Sequence, residues 1–209
     1  DPDGATFAGR FVVLMQVKPL TLTDITVGPD GWLYFVTGGR DSAGAVYRLI
    51  YKGETPNPAT RIGKGTAAAI RYPQFQSAWP RQELAQIKRD DGERWPTMLT
   101  AIARTENSAR FRCRALDLMH LYGPTLSPEL LIKLANDEKV QVRTKAVEVM
   151  GWRPKEAYHE QLIKSLRDEN ATVRRCACEA IVRCEAQPTL EQLQPLLISK
   201  DRYEALAAR

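Results

Sequence analysis

Leu131-Ile132-Lys133-Leu134-Ala135-Asn136-Asp137-Glu138-Lys139-Val140-Gln141-Val142-Arg143 returns 31 residues later as Leu162-Ile163-Lys164-Ser165-Leu166-Arg167-Asp168-Glu169-Asn170-Ala171-Thr172-Val173-Arg174. A period of this length is the mark of helical solenoids, in which each repeat is a helical hairpin stacked on the next. The columns extend downstream and upstream. Phe111, Val142 and Val173 align, as do Ala115, Ala146 and Ala177; Leu118, Val149 and Ala180; and Met119, Met150 and Ile181. Their spacing places all four columns on one face of a helix. The small Ala column lets a paired helix approach closely.

A preceding helix in each repeat supplies the facing stripe: Leu99, Ile102 and Ala103, then Leu131, Leu134 and Ala135, then Leu162, Ile163 and Leu166. Ser127-Pro128-Glu129 offers a cap, a proline at the first helical position and an early acid, and Thr189 offers a cap for a fourth repeat. Pro195 falls inside that fourth helix and predicts a kink near Leu196.

The loops Asn136-Asp137-Glu138 and Arg167-Asp168-Glu169-Asn170, each followed by Val-Arg, resemble HEAT repeats, in particular the short kind similar to those of PBS lyases. The resemblance implies a ladder between adjacent repeats. It assigns Arg112, Arg143 and Arg174 as the cations, with Asp137, Asp168 and Glu106 as acids, each exposed pair being worth roughly 0.2–1 kcal/mol. Solenoids of this kind bind other proteins along an extended surface.

The bulk numbers narrow the function classes. The chain has 209 residues, 44% of them hydrophobic, and a net charge of +5. The basic excess is spread along the chain instead of gathered in one stripe, which argues against nucleic-acid binding. No run approaches the roughly 20 apolar residues that span a bilayer. Asp1-Pro2-Asp3-Gly4 has none of the regions of a secretion signal, so any such signal is expected upstream.

Cys113, Cys176, Cys178 and Cys184 show no paired Cys-x-x-Cys spacing, and neither His120 nor His159 directly follows a cysteine. Zinc and c-type haem sites are therefore not expected. The thiols read as small buried groups in helices, with one disulfide as the alternative. Each histidine stands alone on its helix. The helical half carries no paired carboxylates at useful spacing, no nucleophile beside a base and no phosphate loop, so no catalytic or metal residue is assigned.

The first fifty residues change character. Phe11-Val12-Val13-Leu14-Met15-Gln16-Val17 and Asp24-Ile25-Thr26-Val27 read as strands, followed by the turn Gly28-Pro29-Asp30-Gly31. Trp32 to Thr37 and Ala45 to Tyr51 read as a second pair broken at Gly38-Gly39. Bulky side chains fall on both faces, as in a sheet packed between other sheets.

The string from Pro19 to Arg40, closed by Gly44-Ala45-Val46-Tyr47-Arg48-Leu49, resembles the closing blade of bacterial glucose/sorbosone dehydrogenase-like β-propellers. The resemblance covers about a quarter of the chain. It implies a parent protein in the periplasm, the cell envelope or outside the cell, whose remaining blades lie on the same or another polypeptide. It also implies a quinoprotein relative that binds pyrroloquinoline quinone (PQQ) in other blades. In this segment Arg40, with Asp24 second, is the candidate for facing the channel mouth, where an Arg pairs with a carboxylate of the quinone; the alternative is an ordinary hairpin turn with solvated charges.

From Glu54 to Pro80 no period persists, and Pro56, Pro58, Pro73 and Pro80 mark a linker or strap. Ala67 to Ile70 reads as a short helical turn, Tyr72, Phe75 and Trp79 as apolar anchors, and a helix is expected from near Arg81. The fold class is therefore a β + α multidomain chain: incomplete propeller-blade strands over 1–53, a strap over 54–80 and an α-helical HEAT-type solenoid over 81–209. Because the blade is partial and the fourth hairpin stops partway, the natural protein is expected to continue at both ends. The leading function is a protein-interaction or assembly scaffold; the alternative is the tail of a PQQ-dependent sugar or alcohol dehydrogenase.

Overall fold

The computed structural model describes residues 2–16, 18, 21–39, 42–53 and 63–209. Small antiparallel sheets come first and a helical region follows. The chain divides into two compact units, one of Asp1–Arg10 with Leu99–Arg209, the other of Phe11–Met98.

In the helical unit the hairpins form where the columns place them. The first pair is α3 (Arg94–Thr105), within which the unit boundary falls, and α4 (Ala109–Tyr122); the second is α5 (Pro128–Leu134) and α6 (Val140–Trp152); the third is α7 (His159–Ser165) and α8 (Ala171–Cys184); the fourth is α9 (Leu190–Leu197) and α10 (Arg202–Ala207). Eleven of the twelve column residues are buried; Phe111, at the start of the stack, is half-buried. The facing stripe is buried too, apart from the half-buried Ile102 and Ile163. Small residues also let neighbouring repeats approach closely: an added Cβ on Gly151 of α6 would stand 3.0 Å from Ala180 of α8.

The start signals act as expected. Ser127 Oγ accepts from the Leu130 amide with Pro128 beside it, and Thr189 closes a reciprocal capping box with Gln192. The second helices α4, α6, α8 and α10 begin on Ser108, Lys139, Asn170 and Asp201, which recur every 31 residues. The helix holding Pro195 ends two residues later, at Leu197.

In the other unit, β3 (Leu22–Val27), β4 (Leu33–Gly39) and β5 (Ser42–Leu49) form a three-stranded antiparallel sheet in chain order, with a shift of register between Leu22 and Asp24. No propeller blade is formed among the described residues. Ile25, Phe35 and Tyr47 lie side by side across the sheet, Phe35 and Tyr47 stacking with ring centroids 5.1 Å apart. Phe11–Gln16, expected as a strand, is irregular and exposed. Its β-rich composition gives a tendency to extend, but a strand also needs a ladder partner, and none pairs with it among the described residues.

The strap joins this sheet within the same unit. α1 (Thr66–Ala69) is the short turn, and Tyr72 and Phe75 are buried anchors. Trp79 Nε1 donates to the Val27 carbonyl at 2.6 Å, while Gln74 Oε1 accepts from the Thr26 hydroxyl (2.9 Å) and the Val27 amide (3.3 Å). The helix expected near Arg81, α2 (Ala78–Asp91), starts three residues earlier because Pro80 sits in its first turn, where the missing N–H costs nothing. No helix among the described residues is long and apolar enough to cross a membrane.

Candidate interaction surface

The loops between the two helices of each hairpin are joined by a ladder of guanidinium groups. Arg112 donates to both carboxylate oxygens of Asp137 (3.1 and 2.5 Å) and, through Nε, to the Ala103 carbonyl. Arg143 repeats this one rung on, with Asp168 at 2.8 and 3.0 Å and the Asp137 carbonyl at 2.9 Å. Bidentate pairs fix orientation as well as distance. Each acid also accepts from the backbone two residues ahead: Asp137 from the Lys139 amide, Asp168 from the Asn170 amide, and Glu106 from the Ser108 amide. One side chain therefore shapes its own loop and holds the repeat before it.

These pairs are not the exposed ones the sequence suggests, since Arg143 and Asp168 keep only 10% and 12% of their side-chain surface in water. Burial alone raises the Asp137 carboxyl, but the Arg112 guanidinium and the Lys139 amide outweigh it and hold that group below the usual carboxylate range.

The third rung is built differently. Arg174 pairs with Glu204, which is buried and also accepts from the Ser199 hydroxyl at 2.6 Å. Ser199 stands 31 residues after Asp168, and Glu204 stands 31 residues after Val173. The loop has lost its acid, and the apolar column has gained one that reaches the same arginine. A charged residue in an otherwise apolar column, together with the missing Asp, is the signal that finds this rung.

The outward faces of α4, α6 and α8 present aligned sets: Cys113, Thr144 and Arg175; Asp117, Glu148 and Glu179; Leu121, Trp152 and Arg183. Lys145 bridges Asp117 (3.1 Å) and Glu148 (2.6 Å) and lies 5.0 Å from the Trp152 ring centroid. Leu121, Trp152 and Val182 are exposed on this side. A cleft of about 470 Å³ lies beside Leu121 and Trp152, lined among others by His120, Leu126 and Lys155. At the ladder edge, a groove of about 620 Å³ includes Asn136, Gln161, Lys164 and Arg167.

The single residues take structural positions. The His120 ring packs 4.8 Å from Trp152, and burial followed by the nearby Arg153 keeps its pKa below the usual imidazole value. His159 Nε2 bonds the Cys184 carbonyl at 2.8 Å, at the end of α8. The four thiols are free; Cys176, Cys178 and Cys184 are buried and Cys113 half-buried. Asp24 lies exposed on β3, and its carboxylate accepts from the adjacent Ile25 amide at 2.7 Å. Arg40 lies outside the described residues.

Helical hairpins that recur every 31 residues, buried against each other along fixed columns and pinned by a repeating arginine in the first turn of the second helix, define an α-solenoid. The chain belongs to the HEAT-repeat family: the HEAT repeats model matches residues 95–182 and 127–209, together more than half of the chain. A search of curated proteins finds no matching sequence.

Proposed function

We propose that the chain is a protein-interaction scaffold whose helical unit offers the outward face of α4, α6 and α8 to another protein. One observation carries this reading: the repeat columns and the ladder consume the buried surface of the hairpins, yet Leu121 and Trp152 stay exposed on successive repeats beside a cleft. Exposed apolar groups rimmed by charge are the usual composition of a protein-binding patch.

The finer part of the proposal is that the scaffold belongs to a bacterial envelope protein in which further β-sheets, on this polypeptide or another, cover the strands. The resemblance of the Pro19–Arg40 string to propeller blades supports it, as does the exposure of Leu22, Ile25 and Val46 on the sheet. A groove of about 360 Å³ between Phe11–Gln16 and the sheet is lined almost wholly by apolar side chains.

A photo-crosslinking residue placed at Thr144, on the outward face, tests the scaffold reading in the native host. Capture of one partner from Thr144, and not from a control at the exposed Lys133 of α5, is expected. Equal capture from the two positions, or none from Thr144, overturns it.

A further inference from the structure

The first residues of the chain fold back onto the helical unit. Pro2–Asp3 (β1) and Thr6–Phe7 (β2) form a minimal hairpin, with Asp3 opposite Thr6. Its turn, Gly4-Ala5, is gripped by side chains of two consecutive repeats. Thr172 Oγ donates to the Gly4 carbonyl at 3.3 Å, Arg175 Nε donates to the Ala5 carbonyl at 2.9 Å, and Asp201 Oδ2 accepts from the Ala5 amide at 2.6 Å. A cation and an anion thus read the two backbone groups of one residue, and hydrogen bonds to ionised partners are the strong kind.

The grip is selective for small residues. Ala5 is completely buried although its chain neighbours are exposed or nearly so. Gly4 has φ +57°, and a Cβ there would lie 2.0 Å from Asp201 Oδ2, so the turn needs glycine for both its backbone and its clearance. The receiving groups have other anchors. Asp201 uses its second oxygen to cap α10, accepting from the Tyr203 and Glu204 amides, and Arg175 also pairs with Glu179 at 2.7 Å.

The arrangement is specific to one joint of the stack. Thr172, Arg175 and Asp201 correspond, 31 residues earlier, to Gln141, Thr144 and Asn170. The preceding joint therefore lacks both charges, and only the joint between the third and fourth repeats can clamp a peptide N–H and C=O this way.

We propose that the edge formed by Thr172, Arg175 and Asp201 is a peptide-binding site selective for a Gly-Ala turn, filled in cis by residues 3–6 of the same chain. A segment held in cis meets its site at an effective concentration that does not fall with dilution of the protein. A free peptide with the same contacts competes poorly with it, and binds once the resident turn is expelled.

Hydrogen–deuterium exchange on the full chain tests the clamp. The Ala5 amide is expected to exchange about 100-fold more slowly than in the free decapeptide of residues 1–10. Gly4→Val, Ala5→Leu and Asp201→Asn each return it to the free rate; the Asn keeps an oxygen to cap α10 but turns an amide donor toward Ala5. Arg175→Gln supplies a second route should Asp201→Asn disturb α10, and an unchanged urea midpoint shows that the stack holds. The labelled wild-type decapeptide is then titrated into the Ala5→Leu chain, where saturable binding is expected, with none for a Gly4→Val decapeptide. Free exchange at Ala5 in the wild type, protection that survives every substitution, or no decapeptide binding to the emptied site overturns the proposal.

Discussion

The helical stack and the three-stranded sheet carry similar apolar side chains, but only the stack can cover its own. Each hairpin of the solenoid presents an apolar face whose partner arrives 31 residues later in the same chain, so Val142, Val149 and Met150 are sealed to 0% exposure. Among the described residues the sheet has no such sequel. Val46, next to Tyr47 of the stacked Phe35–Tyr47 pair on β5, keeps 72% of its surface in water, and Ile25 keeps half. The lesson is one of supply: a repeat generates its own neighbour, whereas a single sheet must receive one.

The largest effect that could break this contrast is at the stripe that faces the columns. Leu131, fully buried between α5 and its neighbours, loses its packing in Leu131→Ala, and urea unfolding followed by helical circular dichroism is expected to show a loss of about 4 kcal/mol. Val46→Thr in the sheet is expected to cost no more than about 0.5 kcal/mol. A large loss from Val46→Thr means that the sheet face is already covered in solution, by a second copy or by another protein, and the contrast fails.

The ion pairs repeat the comparison at a smaller scale. Arg143→Met leaves the Asp168 carboxylate and the Asp137 carbonyl without their donor in a nearly dry loop, at a cost of about 2 kcal/mol in the same unfolding experiment. Arg48 and Asp30 on the sheet pair at 3.2 Å but keep 48% and 33% of their side chains exposed. Arg48→Ala is therefore expected to leave the midpoint unchanged.

The ladder also sets an acid limit. Asp137 is held ionised in the fold below the range of an unfolded aspartate, near pH 4. A depressed carboxyl contributes stability above the unfolded pKa and loses it as pH falls through the folded one. Urea midpoints of the helical signal should therefore hold from pH 7 to about 5 and drop below about 4, and Asp137→Asn should flatten that drop while lowering the plateau. A midpoint in Asp137→Asn that still falls as steeply would assign the acid limit to other carboxylates.

How much of this was legible in the sequence follows from which features repeat. The columns, the caps at Ser127 and Thr189, and the first two rungs of the ladder recur with the period, so one repeat checks another. The third rung breaks the pattern twice at once, Asp to Ser at 199 and Val to Glu at 204, and neither change alone reveals the pairing. The docked Gly4-Ala5 turn has no period, and its partners lie more than 160 residues away. Phe11–Gln16 has a strand's composition without a strand's partner, a tertiary fact that local propensity cannot hold. The anchors Tyr72 and Trp79 were readable as aromatic; their polar helper Gln74 was one glutamine among many.

The smallest and most local test uses the thiols, which occur only after residue 98 and so report on the stack alone. Burial in α4 and α8 pushes Cys113, Cys176 and Cys178 up to about 11, and the thiolate is the form that reacts. At pH 8 the folded chain should be alkylated by iodoacetamide about 100-fold more slowly than the urea-unfolded chain, through the thiolate fraction alone. Cys113, half-buried at the start of the stack, should label before Cys176 and Cys178, which the third repeat encloses. If Cys176 or Cys178 labels first, the end of the stack opens before its beginning, and the idea that each hairpin is sealed by the next has to be given up for the last two repeats.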